Sequence, residues 1–147
     1  MTHLDERVEL LRHASLFSDC TDDELSRIAG LATPRDAAVG ELLCTEGAPG
    51  DDFFVVVDGA AEASVGGEKV GDLGAGSFFG EMALIDGGDR TATVTATSAM
   101  RLLVLGRNDF NSMLATAMPT LAPKLLEVVG QRMRELQAQA GISPFGY

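Results

Sequence analysis

The stretch FFGEMALIDGGDRTATV, residues 78–94, sets one carboxylate, two adjacent glycines and one arginine between runs of strand-forming residues. Gly80 permits a tight turn where backbone can approach a ligand closely, and Glu81, Met82, Ala83 and Leu84 read as one helical turn interrupting the strands. The start of such a turn presents unpaired N–H groups that carry partial positive charge and suit an anion, above all a phosphate. Gly87 and Gly88 let the chain reverse without a Cβ penalty, so Arg90, nine residues after Glu81, returns beside the same turn. An ionised carboxylate only accepts hydrogen bonds and a guanidinium only donates them, so the pair selects a ligand bearing both a hydroxyl and a phosphate. A ribose phosphate meets that demand, and a wall of Val, Leu and Phe around it would receive a flat, apolar base.

Around this stretch, residues 36–105 form a series of short β-rich runs, ELLCT, FFVVV, AEASV, TATVTAT and RLLVL, punctuated by glycines. Their spacing leaves no room for the helical crossovers that a parallel sheet needs. The expected fold is therefore mainly β with flanking helices, an antiparallel jelly-roll-like β-roll. Residues 1–33 are expected to hold N-terminal helices: Val8, Leu10, Leu11 and Leu16 fall at roughly helical spacing, Thr21 and Glu24 make a capping-box pattern, and Pro34 ends the second helix. Residues 107–139 are expected to hold two C-terminal helices, with Phe110, Met113 and Leu114 on the first and Leu121, Leu125, Val128, Val129, Met133 and Leu136 on the second. That last stripe fits a homodimer seam and a helix folded onto its own roll equally well. The whole chain, 1–147, reads as one domain.

Composition narrows the function classes. With 22 acidic against 11 basic residues and a net charge of −11, the surface lacks the clustered Lys and Arg that neutralise phosphates, so direct nucleic-acid binding is excluded as an expectation. Asp5 and Glu6 stand where a signal peptide carries positive charge, and the apolar run Phe53–Val57 is far too short to span a bilayer, which points to the cytoplasm and away from membranes. Cys20 and Cys44 are too few for a disulfide framework and have no partners at metal-ligand spacing, so both are read as reduced, packed thiols.

Rival chemistries fail on spacing. Around Asp86, Gly87, Gly88 and Asp89 the alternation of a calcium loop is wrong, and Thr97 stands where a bidentate Glu would be needed. Gly74, Gly76 and Gly80 miss the dinucleotide spacing by one residue, and no Lys follows to make a P-loop. The two histidines, His3 and His13, lie in the leading helices, so no catalytic residue, metal or enzyme activity is expected. Taken alone, Glu81 and Arg90 would more simply be a salt bridge that pins a turn.

The surrounding residues weigh against that simpler reading. FGEMALIDGGDRTATV, residues 79–94, resembles the phosphate-binding cassette of the cyclic nucleotide-binding domains, the module shared by catabolite-activator-type regulators, kinase regulatory subunits and cyclic-nucleotide-gated channels. LFSDCTDDELSRIA resembles the helical segment before the roll, GELLCTEGAPGDDFFVVVDGAAEA its early strands, and residues 107–139 its closing helices. The resemblance implies that Glu81 accepts from the ribose 2′-OH and that Arg90 pairs with the cyclic phosphate. It also implies that the N–H groups of Ala83 and Thr91 complete the phosphate cage, with Gly80 close to the ribose and Met82 and Ala92 in the same ligand-binding set. Asp89 departs from the family, where many members have Pro, and adds a negative charge beside Arg90. Thr91 does not decide between cAMP and cGMP, and cAMP is the expected ligand. The base is expected to be covered from the last helix by Arg134, Leu136 or Gln137. The implied function is a cyclic nucleotide sensor acting on an unidentified protein effector, either alone or as part of a longer regulator. The alternative is a degenerate cassette that binds no nucleotide and works through protein contacts.

Overall fold

In the computed structural model, which describes residues 3–81, 84 and 89–139, the strands form two four-stranded antiparallel sheets. They are β1 (Thr33–Ala37), β2 (Leu42–Cys44), β3 (Asp52–Asp58), β4 (Ala61–Val65), β5 (Glu68–Leu73), β6 (Phe78–Phe79), β7 (Thr93–Ala96) and β8 (Met100–Gly106). One sheet has the order β1-β8-β3-β6 and the other β2-β7-β4-β5. This is the β-roll that the short, glycine-punctuated runs imply.

The sequence of β3 explains how the layers stack. Phe53, Phe54, Val55 and Val56 are all buried, because successive side chains point to opposite faces and both faces of this sheet are covered. Phe54 and Val56 join Phe79, Val94 and Leu102 between the sheets, while Phe53 and Val55 join Phe78, Leu103 and Leu105 under the helices. Ring contacts fix the register: Phe54 stacks on Phe79 at 4.7 Å, and Phe53 meets Phe110 at 4.9 Å.

Helices α1 (His3–Arg12) and α2 (Asp22–Leu31), joined through a 3-10 turn at Ser15–Phe17, precede the roll. Thr21 caps α2 as its sequence predicts: its hydroxyl accepts from the Glu24 N–H, and the Glu24 carboxylate accepts from the Thr21 N–H. The roll begins at Thr33, three residues before the boundary read from the sequence. Pro34 lies on β1, an edge strand, where a missing N–H is tolerated.

Beyond the roll, α3 (Arg107–Gln139) is two arms joined at Ala117, whose φ of −132° and ψ of 21° are not helical. Pro119 accounts for the break, since its ring clashes with the carbonyl four residues earlier. The first arm buries Phe110, Met113 and Ala117; the second buries Leu121 and Leu125 in the cluster that holds Leu25 and Ile28 of α2. Lys124 pins the second arm to the N-terminal segment, donating to the Ser15 carbonyl at 2.8 Å and pairing with Asp19 at 3.3 Å. The front of the expected apolar stripe is thus spent on the chain's own core, whereas Leu126 is 69% and Met133 46% exposed. Among the described residues no helix is long and apolar enough to cross a membrane.

Removing the cap tests this frame: Thr21→Ala should cost about 1 kcal/mol and lower the melting temperature by about 2–4 °C, measured by circular dichroism.

Candidate functional site

The site is built where β6 gives way to the quoted stretch. Gly80 has a φ of +92°, and a Cβ there would lie 2.5 Å from the Asp52 carbonyl oxygen and 2.9 Å from Arg90 Nη1. Only glycine both adopts this backbone and leaves room for the arginine. Immediately after it, Glu81 turns inward and is 1% exposed.

Arg90 is 8% exposed and is gripped from several sides. Its Nη1 donates to the Gly80 carbonyl at 3.0 Å and its Nη2 to the Asp52 carbonyl at 2.9 Å. Its backbone is tied to the loop after β2, with its N–H donating to Ala48 O at 2.8 Å and its carbonyl accepting from Gly47 N at 2.9 Å. Gly50 forms a floor, since a Cβ there would fall 2.1 Å from Arg90 Nε. Asp89, the departure from the family pattern, is exposed and opposes Pro49 through the backbone, so its charge faces solvent while that of Arg90 faces inward.

Gly80, Glu81, Arg90, Thr91 and Ala92 line one cavity of about 360 Å³, together with Cys44, Phe79, Leu73 and Val94 from the roll and Val128, Gln131 and Arg132 from α3. Met82 and Ala83, also expected in the site, lie outside the described residues, as do Gly87 and Gly88. The volume falls within the ~300–1,000 Å³ usual for small-molecule pockets, and apolar walls with a few convergent charges are the usual lining.

Arg132 is the residue that the sequence reading missed. Its Nη1 donates to the Glu81 carboxylate, its Nη2 donates to the Phe78 carbonyl, and its guanidinium lies 4.9 Å from the Phe78 ring centre. Arg134, expected at this place, is exposed, and the side chains of Leu136 and Gln137 lie outside the described residues. A signal was present: Leu121, Leu125, Val128 and Arg132 follow one another at spacings of four, three and four, the inward face of a helix. Burial pushes the Glu81 carboxyl above its ordinary range, and Arg132 chiefly, with Arg90, pulls it back. Among the described residues no group of three or more His, Cys, Asp or Glu could hold a metal ion.

Known proteins resemble this chain in sequence and in fold. A family model described as the cyclic nucleotide-binding domain matches residues 34–117. A cyclic nucleotide-gated potassium channel of Rhizobium etli is 35% identical over 84% of this chain and 34% of its own length. A cAMP-dependent protein kinase regulatory subunit of Hypocrea atroviridis is 36% identical over 71% of this chain and 22% of its own. The chain therefore spans about a third or less of these relatives. The solved structure of cAMP-bound PfPKA-R superposes with a TM-score of 0.83 at 25% identity, covering 95% of this chain and 48% of that one.

Cys44, on the cavity wall, and Cys20, just before α2, are both free and buried, and burial pushes each thiol up to about 11. Neither should react with a thiol reagent at about pH 8 in the folded protein, and both should react once guanidinium unfolds it; counting released chromophore with a disulfide-exchange reagent checks this.

Proposed function

The chain belongs to the cyclic nucleotide-binding domain family, and from that premise we propose that it is a cAMP-responsive regulatory sensor. The observation that carries the reading is a buried carboxylate and a buried guanidinium lining one cavity of about 360 Å³ in a chain of net charge −11. Burying a charge is costly unless it is paired, and a fold retains such a pair where it recognises something charged. Arg90 would hold the cyclic phosphate. A guanidinium has five N–H donors, and the bonds to Gly80 and Asp52 aim it while leaving donors over. Glu81 would accept from the ribose 2′-OH, and the apolar wall of Leu73, Phe79 and Val94 would receive the base. The kinase regulatory subunits among the relatives and the cAMP-bound structural neighbour support adenine over guanine.

The proposed output is conformational. The second arm of α3 reaches the cavity through Val128, Gln131 and Arg132, while its root is fixed on α2 and Ser15. A ligand that binds one placement of this arm better than another shifts the equilibrium by its differential affinity, and an effector protein would read the arm's position. The ligand would be released unchanged: among the described residues no histidine lines the cavity, and its thiol, pushed up to about 11, is neutral at ordinary pH and a poor nucleophile.

Calorimetric titration with cAMP and cGMP in parallel tests the reading, with cAMP expected to bind more tightly. Arg90→Ala should weaken cAMP binding at least roughly 30-fold, the loss expected when one partner of a desolvated charged hydrogen bond is removed. A loss below about threefold would place the phosphate elsewhere, and silence toward both nucleotides would leave a module that works through protein contacts.

A further inference from the structure

We infer that Arg132 is the positioning residue for Glu81: reaching across from α3, it holds that carboxylate in place as an acceptor, so the ribose hydroxyl and the closing helix meet on one side chain. The inference rests on the cyclic nucleotide reading of the site and adds a residue and a pH dependence to it.

Glu81 is 1% exposed, and a carboxylate so far from water is stable as an anion only beside a cation with matching donors. Arg132 supplies both charge and donor, and its own fork is fixed by the Phe78 carbonyl and ring. Its contact is with one carboxylate oxygen, Oε1, and an ionised carboxylate has about four lone-pair sites, so accepting from Arg132 does not exhaust it. The arginine and a ribose hydroxyl can therefore share Glu81 without competing.

Charged and titratable groups around Glu81 leave this role to Arg132. Arg90 acts on it from the same stretch, but its guanidinium donates to the Gly80 and Asp52 carbonyls. Cys44 on β2 faces it with a thiol pushed up to about 11 and so neutral at ordinary pH. Asp72 on β5, which lines the same cavity, is acidic and would only oppose its charge, and Gln131 beside Arg132 is uncharged. Without Arg132, burial of Glu81 is opposed only by a backbone hydrogen bond and by Arg90, and the carboxyl takes up a proton at a higher pH. A protonated Glu81 has lost acceptor capacity, so the acid limb of cAMP binding moves upward.

The test measures cAMP and 2′-deoxy-cAMP affinity of the native chain, Arg132→Met and Arg132→Lys from about pH 6 to about pH 8.5. Met keeps the apolar stem over Phe78 and removes the charge. For cAMP, Arg132→Met should show a deficit that grows as the pH falls from about 8.5 to about 6, because protonation then removes the acceptor that the native chain keeps ionised. Arg132→Lys should recover most of it, and 2′-deoxy-cAMP, lacking the hydroxyl, should show little deficit at either pH. A deficit that stays constant with pH, or equals that of 2′-deoxy-cAMP, would overturn the inference and leave Arg132 as a packing residue. Carbon-13 titration of the Glu81 carboxyl without ligand supplies an independent reading: its midpoint should rise in Arg132→Met, and in Arg132→Gln should the first variant fold poorly. An unmoved midpoint overturns the inference even if the native chain binds cAMP. Failure of the native chain to bind cAMP would sink the sensor proposal while this titration still decides what Arg132 does to Glu81.

Discussion

Glu81 and Arg90 are the buried charged side chains among the described residues, and the fold around them is arranged to make that burial tolerable. Moving an ion out of water costs several kcal/mol even after relaxation, so neither would remain inside without compensation. Arg90 is compensated by two backbone carbonyls, from Gly80 and Asp52, and Glu81 by a guanidinium that arrives from the far end of the chain. Local features that look separate follow from this. Gly80 and Gly50 lack side chains where the arginine passes, the loop after β2 is stitched to residue 90, and the kinked helix returns across the cavity.

The helix links the site to the rest of the molecule. Its first arm packs on Phe53 through Phe110, its second on α2 through Leu121 and Leu125, and only past that anchor does it reach Glu81. The break at Ala117 falls between the two packed faces. Hinges are commonly a few residues at element ends that absorb backbone rotation, while packed arms move as units. Position of the second arm is thus set by an apolar root and a charged tip, and the tip touches the residue proposed to bind ribose.

Much of this was legible because residue types that do one thing carried the signal. A glycine before a carboxylate, and an arginine after paired glycines, left few chemistries open, and the short β runs admitted few topologies. What escaped notice had a physical origin. The start of β1 was read too late because Pro34 breaks helices and central strands alike, and its tolerance on an edge strand depends on neighbours distant in sequence. Arg132 was missed because a charged residue beside Arg134 and Glu135 has the look of a solvated helix face, although it lies four residues after Val128 on the inward side. The partnership of Arg132 with Glu81 spans 51 residues of sequence and depends on how α3 packs, which local pattern does not encode.

The most direct measurement is a crystal structure of the protein grown with cAMP. The account predicts phosphate oxygens within about 3 Å of the Arg90 guanidinium, the ribose 2′-OH on Glu81, and Arg132 still bonded to that carboxylate. Nucleotide bound elsewhere, or a phosphate in the cavity that Arg90 does not touch, would contradict it.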